Sequence, residues 1–391
     1  MNKVKLICVT PNNNNKFYYM EDLNNGTFLA EYGRVGSASS KVTYSIRDWD
    51  KKYNEKLKKG YVDVSESLRQ DIQKGELKID DEDVKDLISF LMGCARQSIK
   101  SNYQVNVDNI SDIQINKVQS IIDELSKNDS ITLNEVNDKL KLIYTTIPRK
   151  MEDTRNYFFT AKTFTPNHVI ELLQEEQNKL NTLKSQITIN NQVKVDSNIT
   201  LESLGFDCVI ASQDDRDLIA KQTDFRVNKQ RIFKITNKET EKVFNPNNLK
   251  TKLLYHGSRN ENFLSILQNG LKIRPSGVAT TGSMFGDGIY GANKARKSIG
   301  YTSLRGSYWA SGSSNRAYLA IFEFATGKEY EVLKNQKYQH WMSRLNEKEV
   351  KDKGYDSVFA QGGADLRNDE YIIYNSNQCT VRYLIELTED N

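Results

Sequence analysis

His256, Gly257 and Ser258 follow the apolar pair Leu253-Leu254, and Glu370 stands immediately before a second strand-like run, Tyr371-Ile372-Ile373-Tyr374. An imidazole at the end of one buried strand and a carboxylate at the start of another, more than a hundred positions apart, predict a site assembled by folding, with groups suited to acid–base or electrostatic work. Between them lie Gly282-Ser283-Met284-Phe285-Gly286-Asp287-Gly288-Ile289-Tyr290, then Ser298 and Tyr301. Part of this run, Gly286-Asp287-Gly288-Ile289-Tyr290-Gly291, literally matches the phosphate-cradling fingerprint G-x-G-x-x-G. That reading needs a buried strand before it, a helix opening at the glycines, and an acid about 20 residues further on. Residues 277–283 are polar and turn-like, and residues 306–311 contain no acid, so the dinucleotide fold is set aside.

Taken singly, a histidine beside a strand or a glutamate before an aromatic strand is ordinarily a packed or solvated residue. Joined in this order with the glycine run and the serine–tyrosine pair, the segments resemble the catalytic domain of the poly(ADP-ribose) polymerase family over residues 195–391. The resemblance implies NAD as donor substrate, no metal, and transfer of ADP-ribose to acceptor proteins, the enzyme itself included, or to growing ADP-ribose chains, with release of nicotinamide. It implies that His256 meets the adenosine-side ribose and that the backbone of Gly257 pairs with the nicotinamide carboxamide. Ser258, Gly288 and Ser298 line the donor site, Ser298 facing the carboxamide oxygen, while Tyr290 and Tyr301 sandwich the pyridinium ring. Ser265 and Lys272 fall on the adenosine side, Lys272 replacing a frequent arginine. Glu370 is the implied catalytic carboxylate, opposing the positive charge that develops on the ribose as nicotinamide leaves, as carboxylates do in glycosidases. The set His256, Tyr290 and Glu370 accompanies chain elongation in the family. Mono-ADP-ribosylation and a catalytically silent binding scaffold are the alternatives.

Three segments are expected to build and regulate this site. Residues 1–78 alternate short strands and turns, with Asn24-Asn25-Gly26 as a hairpin signal between Phe17-Tyr18-Tyr19-Met20 and Thr27-Phe28-Leu29-Ala30. With Glu31-Tyr32-Gly33-Arg34 they resemble the WGR domain, Tyr32 standing for the signature tryptophan. That resemblance implies DNA ends as a candidate activator, with Arg34 as a phosphate or interdomain contact. Residues 79–190 turn to helical periodicity: Leu87, Phe90, Leu91 and Cys94 share a face, and Val118, Ile121, Ile122 and Leu125 repeat the i, i+3, i+4, i+7 spacing. A helix over 133–147 should stop before Pro148, and another should open at Pro166 and run to about residue 189. Tyr144-Thr145-Thr146-Ile147-Pro148 resembles a signature of the family's helical regulatory domain, which implies gating of the donor site. Residues 191–391 return to strands, among them 208–210, 231–235, 317–324 and 380–387, the last reading as half-exposed because Val381, Tyr383, Ile385 and Leu387 alternate with Arg382 and Glu386. The expected fold is α+β multidomain: a small β-rich WGR-like domain, an all-α bundle, and an antiparallel α+β ADP-ribosyltransferase domain.

Composition sets outer bounds. At 391 residues the chain exceeds one average core, and a net charge of +4 is far from that of a dedicated basic nucleic-acid binder. Lys51, Lys52, Lys56, Lys58 and Lys59 crowd around a single Glu55, a local basic segment that could meet phosphate or simply be a solvated helix face. No run approaches the roughly 18 apolar residues of a membrane span, and residues 1–10, interrupted by Lys3 and Lys5, do not read as a signal peptide. No membrane partner and an intracellular location are expected, nuclear in a eukaryote and cytoplasmic in a bacterium. Cys8, Cys94, Cys208 and Cys379 lack paired spacing, so they are read as core thiols.

Overall fold

The computed structural model describes residues 2–65, 75–103, 110–126, 131–228, 230–273, 284–334, 342, 345–363 and 366–388. Residues 277–283, with Gly282 and Ser283, lie outside them. The chain forms two compact units, one made of residues 1–72 and 97–187, the other of residues 73–96 and 188–391.

The first unit opens with β1 (Lys3–Thr10), β2 (Asn14–Asp22), β3 (Thr27–Arg34), β4 (Ser39–Ser45), α1 (Trp49–Lys58) and β5 (Val62–Asp63). The strands form one antiparallel sheet in the order β4-β3-β2-β1-β5. The β2–β3 hairpin turns where expected, with Asn24 and Gly26 both at positive φ. Alternation sends Leu6, Tyr18, Met20 and Phe28 to the face covered by α1, where Trp49 meets Phe28 edge-on at 5.1 Å. Ile7 and Val9 point the other way, into a core shared with the unit's helices.

Those helices are the last turns, residues 97–102, of α2 (Glu82–Asn102), then α3 (Asp112–Ser126), α4 (Leu133–Thr146) and most of α5 (Pro166–Val195). Thr132 and Glu135 close a reciprocal capping box at the start of α4, satisfying two donors that the helix cannot. The helix ends one residue before Ile147, as Pro148 requires. Ile115, Val118, Ile122 and Leu125 of α3 pack with Val136, Leu140 and Ile143 of α4 and with Leu173, Leu180 and Leu183 of α5. Inside this core the Arg149 guanidinium pairs with Glu176 and lies 4.1 Å from the centre of the Tyr103 ring.

The second unit begins with a parallel pair, β6 (Glu76–Leu77) and β7 (Asn198–Ile199), followed by α6 (Leu201–Leu204), β8 (Asp207–Ile210), α7 (Gln213–Gln222), β9 (Ile232–Thr236), α8 (Lys238–Val243), β10 (Thr251–Gly257) and α9 (Asn260–Asn269). Then come β11 (Ile289–Gly291), α10 (Ala295–Ile299), β12 (Arg316–Ala325), β13 (Glu329–Val332), α11 (Glu347–Asp352), β14 (Ser357–Ala360), β15 (Glu370–Ile373) and β16 (Cys379–Thr388). One sheet runs β10-β12-β16-β9-β8 and is antiparallel throughout. The other runs β11-β15-β14-β13, with only β13–β14 parallel.

Two expectations change here. β16 is not half-exposed: it is central in its sheet, and Glu386 is 9% exposed. Its charge is held by Arg231 and Arg316, which also grip Asp86 of α2, while Phe90 of α2 packs against Tyr318. Residues 82–96 of α2 therefore belong to the strand-rich unit and cover the face that the polar residues of β16 suggested was open to water. A helix whose exposed-looking acids find arginines on a sheet follows that sheet.

Candidate active site

His256 and Gly257 end β10, an edge strand of the larger sheet, and β11 lies alongside through a bridge in which the Tyr255 and Ala292 backbones exchange hydrogen bonds of 2.8 and 3.1 Å. The two sheets are thus joined beside His256. His256 Nδ1 lies 3.3 Å from the carbonyl oxygen of Tyr290, which can only accept, so this nitrogen carries the proton. β11 in turn pairs with β15, Gly291 opposite Tyr371, which carries Glu370 to the level of Ala292. His256, Tyr290 and Glu370 thus lie on neighbouring strands.

The Glu370 carboxylate is buried, 8% exposed, and ion-paired with Lys297 of α10. Its neighbour Asp369 accepts from Asn293 Nδ2 and from the Gly362 N–H, both at 2.9 Å, so the entry to β15 is fixed on both sides. A buried carboxylate held by one ammonium has a defined position. Lys297 was not singled out from the sequence. It sits in the basic run Lys294-Ala295-Arg296-Lys297, where nothing but the register of β11 on β15 distinguishes the lysine that meets Glu370 from its exposed neighbours.

Tyr290 is anchored at its far end, its hydroxyl donating to the Gly286 carbonyl at 2.8 Å and accepting from the Phe285 N–H at 3.2 Å. Ser298 is buried and its hydroxyl donates to the Tyr255 carbonyl at 3.2 Å. Tyr301, two residues past α10, leaves 42% of its surface exposed, and burial of the rest, then the Glu370 charge, raises its phenol above the usual tyrosine value. It stays protonated at neutral pH. Gly257 is required by the approach of α10: a Cβ there would lie 1.8 Å from the Ser298 carbonyl oxygen and 3.2 Å from Tyr301 Cβ.

The fingerprint glycines have packing reasons as well. A Cβ on Gly286, at φ +78°, would strike the Leu345 carbonyl, and one on Gly288 would fall 2.2 Å from Ile372 Cγ2 of β15. The run enters a strand, and the next helix starts only at Ala295, so no helix N-terminus is presented to a phosphate there.

Ser258 and the adenosine-side residues are less tightly tied to this group. Ser258 Oγ accepts from Asn262 Nδ2 at 3.1 Å, Ser265 is buried on α9, and Lys272 is exposed just beyond it. Arg34 lies in the other unit, where its guanidinium donates to the carbonyls of Asn13 (2.9 Å), Met151 (3.3 Å) and Glu152 (2.6 Å) and to Asn13 Oδ1 (2.8 Å). Tyr32 stacks on Tyr18 at 5.7 Å, and Lys56 lies 4.3 Å from the centre of the Tyr18 ring. Among the described residues no group of three or more His, Cys, Asp or Glu could hold a metal ion, and no helix is long and apolar enough to cross a membrane. Burial pushes the Cys208 and Cys379 thiols up to about 12, in keeping with core packing.

Comparison with known proteins places this geometry. The family model of the poly(ADP-ribose) polymerase catalytic domain matches residues 215–389. Among curated relatives, "Uncharacterized protein 101L" of Invertebrate iridescent virus 6 is 34% identical over 48% of this chain and 78% of its own length. "Putative poly [ADP-ribose] polymerase-like 100L" of the same virus is 36% identical over 36% of this chain and 72% of its own length. "Poly [ADP-ribose] polymerase 2" of Homo sapiens is 30% identical over 42% of this chain but only 31% of its own length. On these matches, the chain belongs to the poly(ADP-ribose) polymerase family and is an NAD-dependent ADP-ribosyltransferase.

Proposed function

We propose that this transferase places ADP-ribose on protein acceptors, itself included, and extends the product into a polymer. The observation that carries the proposal is the buried Glu370 carboxylate, held by Lys297 and brought by β-pairing alongside Tyr290 and His256. In the reaction the bond from ribose C1 to the nicotinamide nitrogen breaks and nicotinamide leaves as a neutral molecule, so no strong general acid is required. Positive charge develops on C1 and the ring oxygen, and a fixed carboxylate on that side of the sugar stabilises it. The acceptor oxygen then bonds to C1 and loses its proton. When the acceptor is a ribose hydroxyl of an earlier ADP-ribose, the same carboxylate orients it, which is what elongation needs.

The test is incubation of the full chain with labelled NAD, followed by a sizing gel. A ladder extending upward from the modified protein supports elongation. A single discrete label per acceptor points to mono-ADP-ribosylation, and no label at all to a silent scaffold. DNA ends are the proposed activator: the five-stranded sheet with α1 supports a WGR-like reading of the first unit, and Lys51, Lys58 and Lys59 of α1 and its end are exposed for phosphate. The proposal rests on these lysines, because the Arg34 guanidinium is hydrogen-bonded to Asn13, Met151 and Glu152 within the unit. Adding broken DNA to the same incubation, at low and moderate salt, raises the rate if the reading holds and leaves it unchanged if it fails.

A further inference from the structure

Beyond Tyr301 the chain makes a loop, residues 302–315, whose backbone is closed on itself. The Ser307 hydroxyl donates to the Thr302 carbonyl at 2.8 Å and accepts from the Gly312 N–H at 2.9 Å. The Arg305 N–H donates to the Ser314 carbonyl at 2.9 Å, and the Ser314 N–H to the Ser303 carbonyl at 3.0 Å. Gly312 is packed so closely that a Cβ would lie 2.1 Å from the Leu304 carbonyl oxygen. At the head of this loop the N–H groups of Trp309 and Ala310 both donate to the Gly300 carbonyl, at 2.9 and 3.1 Å. The result is an indole laid parallel to the Tyr301 ring, centroids 6.1 Å apart and planes 17° from parallel, with the edge of Tyr308 against it at 4.7 Å.

Trp309 is 59% exposed and Tyr308 74%. A tryptophan so open contributes little to any core, and water disfavours it at the surface. The loop closes through backbone and serine hydrogen bonds that do not involve the indole. What the indole does contact is Tyr301, on the ring's partly exposed side, and the absence of a side chain on Gly300 leaves it room: a Cβ there would lie 3.2 Å from Trp309 Cδ1. An offset stack at this separation restrains the tilt of both rings.

We propose that Trp309 is a positioning residue of the donor pocket, its indole backing the Tyr301 ring and fixing the angle at which that ring meets the nicotinamide of NAD. The inference rests on the assignment of Tyr301 to the nicotinamide wall, and it makes the closed loop a determinant of specificity for planar carboxamides. A flexible ring would have to be ordered by each ligand; a backed ring is ordered in advance.

The experiment measures binding of two probes to the full chain by calorimetry: benzamide, which carries the planar ring and carboxamide, and ADP-ribose, which lacks them. Trp309→Leu is expected to weaken benzamide about three- to tenfold while leaving ADP-ribose within twofold, and Trp309→Phe to restore benzamide to within twofold. In a Tyr301→Ala background, Trp309→Leu is expected to add less than twofold, because its effect passes through Tyr301. Equal weakening of both probes, unchanged benzamide binding, or an undiminished effect in the Tyr301→Ala background overturns the proposal while leaving Tyr301 in place. Unchanged benzamide binding by Tyr301→Ala alone overturns the assignment of Tyr301 itself, and this inference with it.

Discussion

The Lys297–Glu370 pair fixes the carboxylate proposed to carry the transfer, and it does so from a helix whose neighbouring cations face water. Removing one member of a buried pair leaves the other without compensation. Lys297→Met is therefore expected to lower the rate of nicotinamide release about tenfold or more, through loss of a placed charge. A steady-state assay with the variant's NAD affinity measured in parallel checks this; a rate within twofold of the original would mean that Glu370 holds its place unaided. At this scale much of the site was legible in the sequence, because His256, Tyr290 and Glu370 each adjoin a strand whose apolar run is visible. Lys297 and Trp309 were not, since one is a lysine among cations and the other a tryptophan in a polar loop. Both contacts come from tertiary register, which spacing along the chain does not encode.

Elements hold the site through a few polar joints. Asp215, at the third position of α7, closes the cap of that helix with Ser212, accepts from Lys234 of β9 at 2.8 Å, and accepts from the Tyr383 hydroxyl of β16 at 2.8 Å. Burial pushes its carboxyl up, but the hydrogen bonds from Lys234, Ser212 and Tyr383 prevail and hold it down at about 2, below the ordinary 3.8. A depressed carboxyl stabilises the fold fully above its unfolded value, and that stability is lost as pH falls from about 4 through 2. Asp215→Asn should cost about 2 kcal/mol at neutral pH, and the cost should shrink toward zero near pH 2. Denaturant melts of both proteins at pH 7, 4 and 2.5 would reveal it, and a penalty independent of pH would rule out the charge as its source. The strands 208–210, 231–235, 317–324 and 380–387 were recognisable from alternation and β-branched residues, and the helices from their 3.6-residue stripe. The burial of β16 was not, because Glu386 becomes an interior residue only once Arg231, Arg316 and the first half of α2 surround it.

On the scale of the whole molecule, every residue proposed for the donor site lies in the strand-rich unit and none in the first. Arg34 illustrates the difference: as a motif residue it suggested DNA, whereas its guanidinium ties β3 to residues 151 and 152 inside its own unit. The order of segments was legible because period-2 and period-3.6 patterns alternate along the chain. The assignment of residues 82–96 of α2 to the strand-rich unit was not, since a helical stripe says which face is buried and not against what. Glu370 is proposed to carry the transfer, and the labelled-NAD incubation, run on the full chain and on Glu370→Gln with NAD affinity measured for both, tests that role. The amide keeps the shape and loses the charge, so the variant should bind NAD within about threefold of the original yet yield no polymer. Polymer at the original level from Glu370→Gln would contradict the assignment.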